Sequence, residues 1–308
     1  MTNPDLASSS QGYLLQGDCL PWLHRIAEGK KPRFDLVYID PPFNAGGARG
    51  LRHGSGTRAT GRVAYRDQWG GIERFLEMLR PRLAAVRDVM APCSSLWLHL
   101  DHRAVHETKV IADEVFGRSR FEGEIVWVPG NGARRRGGPS VTHQTILIYS
   151  REGTMVWNVD EPCLREPYAS TSRKMHFRHV DPTGRRYRER SINGKLYRYY
   201  EDEGRLLGSV WSDCGAMRAN TPLVSETTGY PTQKPEKLLD RIIRAACHPG
   251  GWVLDPMCGS GTTMAVAANL GRRYCGIDES AEAITISGAR LQKLGQYSLA
   301  AFPQPAPA

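Results

Sequence analysis

The sequence predicts an α/β fold: a doubly wound, mostly parallel sheet with an antiparallel edge ribbon and a small basic insert. Three observations carry that prediction. Short apolar, β-branched runs alternate with stretches whose apolar residues recur at three and four positions, the patterns of strands and helices in turn. Two of the runs end in Asp-Pro, which stops a strand abruptly because proline has no backbone donor. A glycine-rich turn stands between one of those runs and the next helical stretch, where a helix N-terminus faces outward.

Taken in order, residues 34–40 form a buried parallel strand stopped by Pro41 and Pro42. Helical spacing runs over 75–90 (Phe75, Leu76, Leu79, Leu83, Val86, Met90), and a strand follows over 95–101. Residues 124–128 and 144–149 flank a Gly/Arg loop and read as a ribbon closing the sheet edge. From 158 to 208 apolar periodicity stops, and eleven Lys and Arg residues interleave with Tyr168, Phe177, Tyr187, Tyr197, Tyr199 and Tyr200, as in a small, partly β insert. Helical spacing returns over 237–246, a strand follows over 252–256, a helix over 263–270 and a strand over 274–278. The expected organisation is one discontinuous domain, 1–157 with 209–294, an insert over 158–208 and a disordered tail over 295–308.

The 308 residues carry 41 Lys and Arg against 32 Asp and Glu, a net charge of +9 that points to a polyanionic partner. Hydrophobic residues at 40% exclude wholesale disorder. The first residues lack a basic stretch followed by an apolar one, and no run approaches the length of a membrane span, so a cytoplasmic protein is expected. Seven scattered cysteines, none spaced C-x-x-C, suggest neither a disulfide framework nor a metal site. Two Pro-Cys pairs, at Cys93 and Cys163, lack the glycine context of a nucleophilic thiolate.

Two constellations carry chemistry. Asp255 to Thr263 joins a strand to a helix through Gly259 and Gly261, and Asp278 ends the next strand at the offset where a carboxylate receives ribose hydroxyls. A nucleoside-bearing cofactor is expected there. Asp40-Pro41-Pro42-Phe43 places a carboxylate, carbonyls and an aromatic face at a strand end, the parts needed to act on an exocyclic amino group. Taken alone, each also reads as an ordinary tight turn.

Together with Gly17-Asp18-Cys19-Leu20, Tyr38 to Asn44, His99-Leu100-Asp101, residues 113–117, residues 210–213 and Gly229 to Pro235, they make the chain resemble prokaryotic amino-group DNA methyltransferases. The motif order is the permuted one, with Asp-Pro-Pro-Phe before the glycine loop, and the match covers most of residues 12 to 290. The resemblance implies a Rossmann-like fold, S-adenosylmethionine as cofactor and methyl transfer to adenine N6 of a flipped base in double-stranded DNA. Cytosine N4 is the alternative, since both bases offer an amino group in the same local geometry; Asp40, where family cytosine enzymes often carry Ser, favours adenine. By the same resemblance Asp40, Pro41, Pro42 and Phe43 are catalytic, and Asp255, Gly259, Ser260, Gly261 and Thr262 hold the methionine part of the cofactor. Asp278 takes its ribose, Asp18 and Cys19 border its adenine, and Thr232, Gln233 and Lys234 lie at its carboxylate end. A homodimer and a cognate restriction endonuclease are the further partners the resemblance allows, with no metal and no membrane.

For DNA contacts, the Gly/Arg stretch after Phe43 is expected to be a mobile loop carrying Arg49, Arg52 and Arg58, and the ribbon loop offers Arg134, Arg135 and Arg136. The insert is expected to recognise the target. A non-catalytic DNA-binding protein of the same fold is opposed by intact Asp40, Asp255 and Asp278, and a nicotinamide dehydrogenase by Met264, which stands where a third glycine would be needed.

Overall fold

The computed structural model describes residues 12–29, 33–42, 70–130, 135–217 and 226–295, with the backbone alone over 48–52 and 59–66. The chain divides into two compact units, one built from residues up to Trp157 and from Val210 onward, the other Asn158–Ser209.

In the larger unit the chain runs β1 (Gly12–Gln16), α1 (Cys19–Glu28), β2 (Phe34–Ile39), β3 (Ala48–Arg52), β4 (Ala59–Arg66), α2 (Ile72–Val89), β5 (Met90–Leu100), α3 (Val105–Phe116), β6 (Phe121–Trp127) and β7 (Gln144–Ser150). The smaller unit holds β8 (Arg165–Glu166), α4 (Ser170–His176), β9 (His179–Val180), β10 (Arg186–Ile192), β11 (Lys195–Tyr200) and β12 (Arg205–Leu206). The larger unit then closes with β13 (Val210–Trp211), α5 (Glu236–Ala246), β14 (Trp252–Asp255), α6 (Thr262–Asn269), β15 (Arg273–Asp278) and α7 (Ala281–Lys293).

Eight strands form one sheet in the order β1-β15-β14-β2-β5-β7-β6-β13. Every pair is parallel except those made by β7, which runs against both β5 and β6. The β6–β7 ribbon forms as expected, with β13 adding two residues outside it. Strands β2 and β14 are apolar on both faces, Phe34, Leu36, Val37, Ile39, Val253 and Leu254 being fully or almost fully buried, as suits a sheet covered by helices on each side. Their register sets Val253 opposite Leu36 and Leu254 opposite Val37, and the Asp35 carboxylate accepts the Trp252 N–H at 2.8 Å to fix the start of the pairing. The ring of Trp252 then stacks on Tyr13 at 6.0 Å and meets the edge of Phe34, joining three strands through one side chain.

One expectation needs revision. The Gly/Arg stretch is not simply a loop, because β3 pairs antiparallel with β4, Ala48 opposite Arg66 and Arg52 opposite Ala59. Residues 296–308, most of the expected tail, lie outside the described residues. Among the described residues no helix is long and apolar enough to cross a membrane.

Candidate active site

The carboxyl ends of β1, β15, β14 and β2 lie side by side, and each carries an aspartate: Asp18, Asp278, Asp255 and Asp40. In open parallel sheets that is where ligands bind. A cavity of about 540 Å³ opens there, lined by these four aspartates, Pro41, Pro42, the 230–234 loop and the glycine turn. Its size suits a ligand of a few tens of heavy atoms.

The glycine turn is held from below by Asp255. One carboxylate oxygen accepts the Thr263 hydroxyl at 2.6 Å and the other the Met257 N–H at 3.2 Å, so the aspartate ties the strand end to the first turn of α6. Burial pushes its carboxyl up to about 7, against the opposing pull of those two donors. Gly259 follows in the left-handed region (φ 50°) and donates its N–H to Asp278 at 2.8 Å. A side chain at Gly259 would press on the Tyr230 ring at 3.1 Å. Asp278 also accepts the Ser280 N–H at 2.9 Å, and burial raises its carboxyl. Each of its oxygens has a second lone-pair direction for a hydroxyl.

Across the cavity the Asp40 carboxylate is paired with the ammonium of Lys234, a contact between residues 194 positions apart. The Lys234 backbone carbonyl in turn accepts the Thr262 hydroxyl at 3.2 Å, so the lysine joins the end of β2 to the start of α6. Behind Asp40, Tyr38 lines the cavity and bonds His99 Nδ1 at 2.7 Å, and His99 Nε2 meets the Gln144 side-chain oxygen Oε1 at 2.7 Å. Burial holds His99 well below its ordinary pKa, so the ring is neutral. The Gln144 oxygen only accepts, which makes Nε2 the protonated nitrogen and Tyr38 a donor to Nδ1.

Asp18 caps α1 by accepting the Leu20 N–H at 3.0 Å and takes both oxygens to the Arg82 guanidinium at 2.8 and 2.7 Å. Cys19 beside it is buried, which pushes its thiol up to about 12. In the 230–234 loop Thr232 holds a left-handed conformation (φ 60°), unusual for a β-branched residue. Gln233 is engaged within its own loop: it accepts from the Thr228 N–H and hydroxyl at 3.0 and 2.8 Å and donates to the Glu226 carbonyl at 2.6 Å.

A family profile described as DNA methylase, of the N6/N4 type, matches residues 34–288. The chain belongs to that family. It is 36% identical over 287 residues to the type II methyltransferase M1.MboII of Moraxella bovis, covering 91% of this chain and 96% of that one. It is 28% identical over 299 residues to the type II methyltransferase M.EcaI of Enterobacter cloacae, covering 83% of this chain but 63% of the relative, less than two thirds of that protein's length. The crystal structure of an M1.HpyAVI–SAM complex shares the fold at a TM-score of 0.55 and 17% identity, over 90% of this chain and 98% of that one.

In this DNA methylase, then, Asp18, Cys19, Asp40, Pro41, Pro42, Thr232, Gln233, Lys234, Asp255, Gly259, Ser260, Thr262 and Asp278 meet around one cavity. Gly261 does not line it. It packs under α7, where a Cβ would meet the Ser287 hydroxyl at 2.5 Å, so its left-handed turn (φ 74°) serves the approach of two helices. Lys234, expected at the cofactor's carboxylate end, is paired with Asp40. Phe43, Arg58 and Arg134 lie outside the described residues; Arg49 and Arg52 sit on β3, and Arg135 and Arg136 are exposed. Sequence reading missed Tyr38, Met78, Arg82, Tyr230, Leu239, Glu279 and Ser280 as cavity residues. Of these, Glu279 and Ser280 were signalled by their place directly after Asp278. Among the described residues no cluster of His, Cys, Asp and Glu could hold a metal.

Proposed function

We propose that this DNA methylase transfers a methyl group from S-adenosylmethionine to the exocyclic N6 of a flipped adenine in double-stranded DNA. The observation that carries the reading is the meeting of Asp40, Asp255, Asp278 and the N-terminus of α6 around one cavity of cofactor size. Asp278 accepts ribose hydroxyls, Asp18 and Cys19 border the adenine ring, and the Ser260–Thr262 turn with the 232–234 loop receives the amino-acid end. Bound there, the cofactor supplies an electrophilic methyl group.

The residues of the chain act on the base. An exocyclic amino nitrogen is a poor nucleophile because its lone pair is delocalised into the ring. Hydrogen bonds from its two protons to the Asp40 carboxylate and the Pro41 carbonyl favour a pyramidal nitrogen with its lone pair available, while Phe43 stacks on the extruded ring. Asp40 accepts the proton that the methylated nitrogen gives up. Lys234 holds that carboxylate in place until the amino group arrives. No thiolate is needed, in keeping with buried Cys19 and Cys258, both raised above their ordinary pKa by burial.

The insert serves as the target-recognition element, and Arg49, Arg52, Arg58, Arg134, Arg135 and Arg136 contact DNA. A cytoplasmic location, a homodimer and a cognate restriction endonuclease belong to the same reading of the chain as a type II modification enzyme; light scattering tests the dimer. Incubation with DNA and methyl-labelled cofactor, followed by nucleoside separation, tests the base. Label in N6-methyladenine is expected, and label in N4-methylcytosine overturns the adenine assignment. Asp40→Ala should abolish transfer and retain cofactor binding; transfer at the parent rate would refute the mechanism.

A further inference from the structure

The smaller unit carries eleven Lys and Arg residues and eight Asp and Glu, a net charge of +3. Most of its positive charge is answered within the unit. Arg165 pairs with Asp160, Arg173 and Arg186 with Glu201, Arg185 with Asp202 and Glu203, Arg198 with Glu189 and Arg205 with Glu166. The surface offered to a polyanion is therefore much smaller than composition suggests.

The β10–β11 hairpin shows where it lies. Its strands are joined by the two-residue turn Asn193-Gly194, both at positive φ (50° and 77°), the type I′ geometry that preserves strand twist. Side chains of directly paired residues share a face. One face carries the pairs Tyr187–Tyr200, Glu189–Arg198 and Ser191–Leu196, and its charge is compensated: Arg198 bonds Glu189 at 2.9 Å and lies over the Tyr187 ring at 4.1 Å.

The other face carries Arg188–Tyr199, Arg190–Tyr197 and Ile192–Lys195, with no acid among them. At its root Arg188 sits among the rings of Tyr168, Phe177 and Tyr199 at 5.2 to 5.4 Å, which anchors the hairpin to the unit's buried centre. Beyond that anchor Arg190 and Lys195 are exposed, and among the described residues no ion pair holds either. Tyr197 and Ile192, each 39% exposed, lie between them, and the Lys195 ammonium stands 5.4 Å from the Tyr197 ring.

We infer that this one face of the hairpin tip, Arg190, Ile192, Lys195 and Tyr197, is the surface of the insert that enters the major groove of duplex DNA. A two-stranded β-ribbon has the width the major groove admits. Lys195 meets phosphate, Arg190 reaches base edges, and Tyr197 and Ile192 supply apolar contact of the kind a thymine methyl group offers. The inference rests on the DNA methyltransferase reading above and narrows its recognition element to four side chains.

The test compares R190A/K195A with R185A/R205A, which removes two arginines already answered by acids. Anisotropy with a short random-sequence duplex reads affinity against salt, methyl transfer to genomic DNA is measured in parallel, and the thermal shift with S-adenosylhomocysteine checks the cofactor site. R190A/K195A should lose about tenfold or more in DNA affinity and flatten the slope of log affinity against log salt by about one to two, with the cofactor shift unchanged. R185A/R205A should bind within about twofold of the parent. Parent-like affinity and salt slope in R190A/K195A, or an equal loss in R185A/R205A, overturns the inference while leaving a parent protein that methylates DNA an intact methyltransferase. A parent protein that transfers no methyl group to DNA overturns the functional reading, and the binding comparison still decides the surface.

Discussion

Replacing Gly261 with alanine tests the structural account of the cofactor turn. Two costs add at this position. The backbone lies at φ 74°, where a Cβ costs about 1–2 kcal/mol. The new methyl group would also stand 2.5 Å from the Ser287 hydroxyl, 2.7 Å from its Cβ and 3.0 Å from its Cα. Relieving such overlap moves α6 against α7 and costs about 1–3 kcal/mol more. The sum is about 2–5 kcal/mol. An unfolding entropy of about 2.1 cal/mol/K per residue over the chain converts this to a fall in Tm of roughly 3–8 °C. Gly250 supplies the control, since it has nearly the same φ (76°) and nothing within 4 Å of an added Cβ, so G250A should lose only the backbone part. Differential scanning calorimetry of G261A, G250A and G261A/S287G separates the terms. The double variant should lose less than the sum of its single changes, although it forfeits the Ser287 bond to the Gly259 carbonyl at 3.0 Å. Equal Tm shifts for G261A and G250A would refute the helix-approach argument.

Three further outcomes follow from the site. Lys234→Met removes the ammonium paired with the Asp40 carboxylate, whose side chain is 18% exposed, so it should cost about 3 kcal/mol in urea unfolding, and D40N/K234M should recover part of that; a double variant less stable than K234M would contradict it. Burial raises the Asp255 pKa from 3.8 in the unfolded chain to about 7 in the folded protein, so its contribution to stability is complete below the unfolded value and is lost as pH rises through about 7. D255N should therefore flatten the decline in stability over roughly pH 4 to 7, and an unchanged slope would remove that assignment. Iodoacetamide at mildly alkaline pH should label Cys93, which is exposed, and Cys163, which is half-buried, well before the five buried cysteines; early labelling of Cys19 by mass spectrometry would contradict the buried, raised thiol.

The strands that build the site were legible because each is an apolar run stopped by a residue with a special role: Pro41 after β2, Pro256 after β14, and Asp278 at the end of β15. The side chains that close the cavity from other elements were not. Met78 and Arg82 belong to α2, whose helical pattern reports a buried face without saying what stands opposite it, and only the packing of α1 on α2 brings Arg82 to Asp18. The Asp40–Lys234 pair was hidden for the same reason, since sequence motifs place each residue on its own element and the sheet order brings them together. β1, the fourth strand of the site, was not legible because it is only five residues long and no proline stops it. The charge of the insert misled in the opposite direction: composition counts cations, and only the fold shows which already face an acid.

The pairing of β2 with β14 has a consequence for how the protein is made. Val253 and Leu254 sit beside Leu36 and Val37, and the Asp35–Trp252 bond closes a loop of 217 residues. On the ribosome, the strand that leads into Asp40 therefore waits with one edge unmatched until β14 emerges, while the smaller unit, built from contacts within Asn158–Ser209, has all its partners much sooner. Methylating competence is thus gained only once β14 and β15 have emerged and slotted between β1 and β2, and a nascent chain stalled before β14 would carry an Asp-Pro-Pro motif with no site around it.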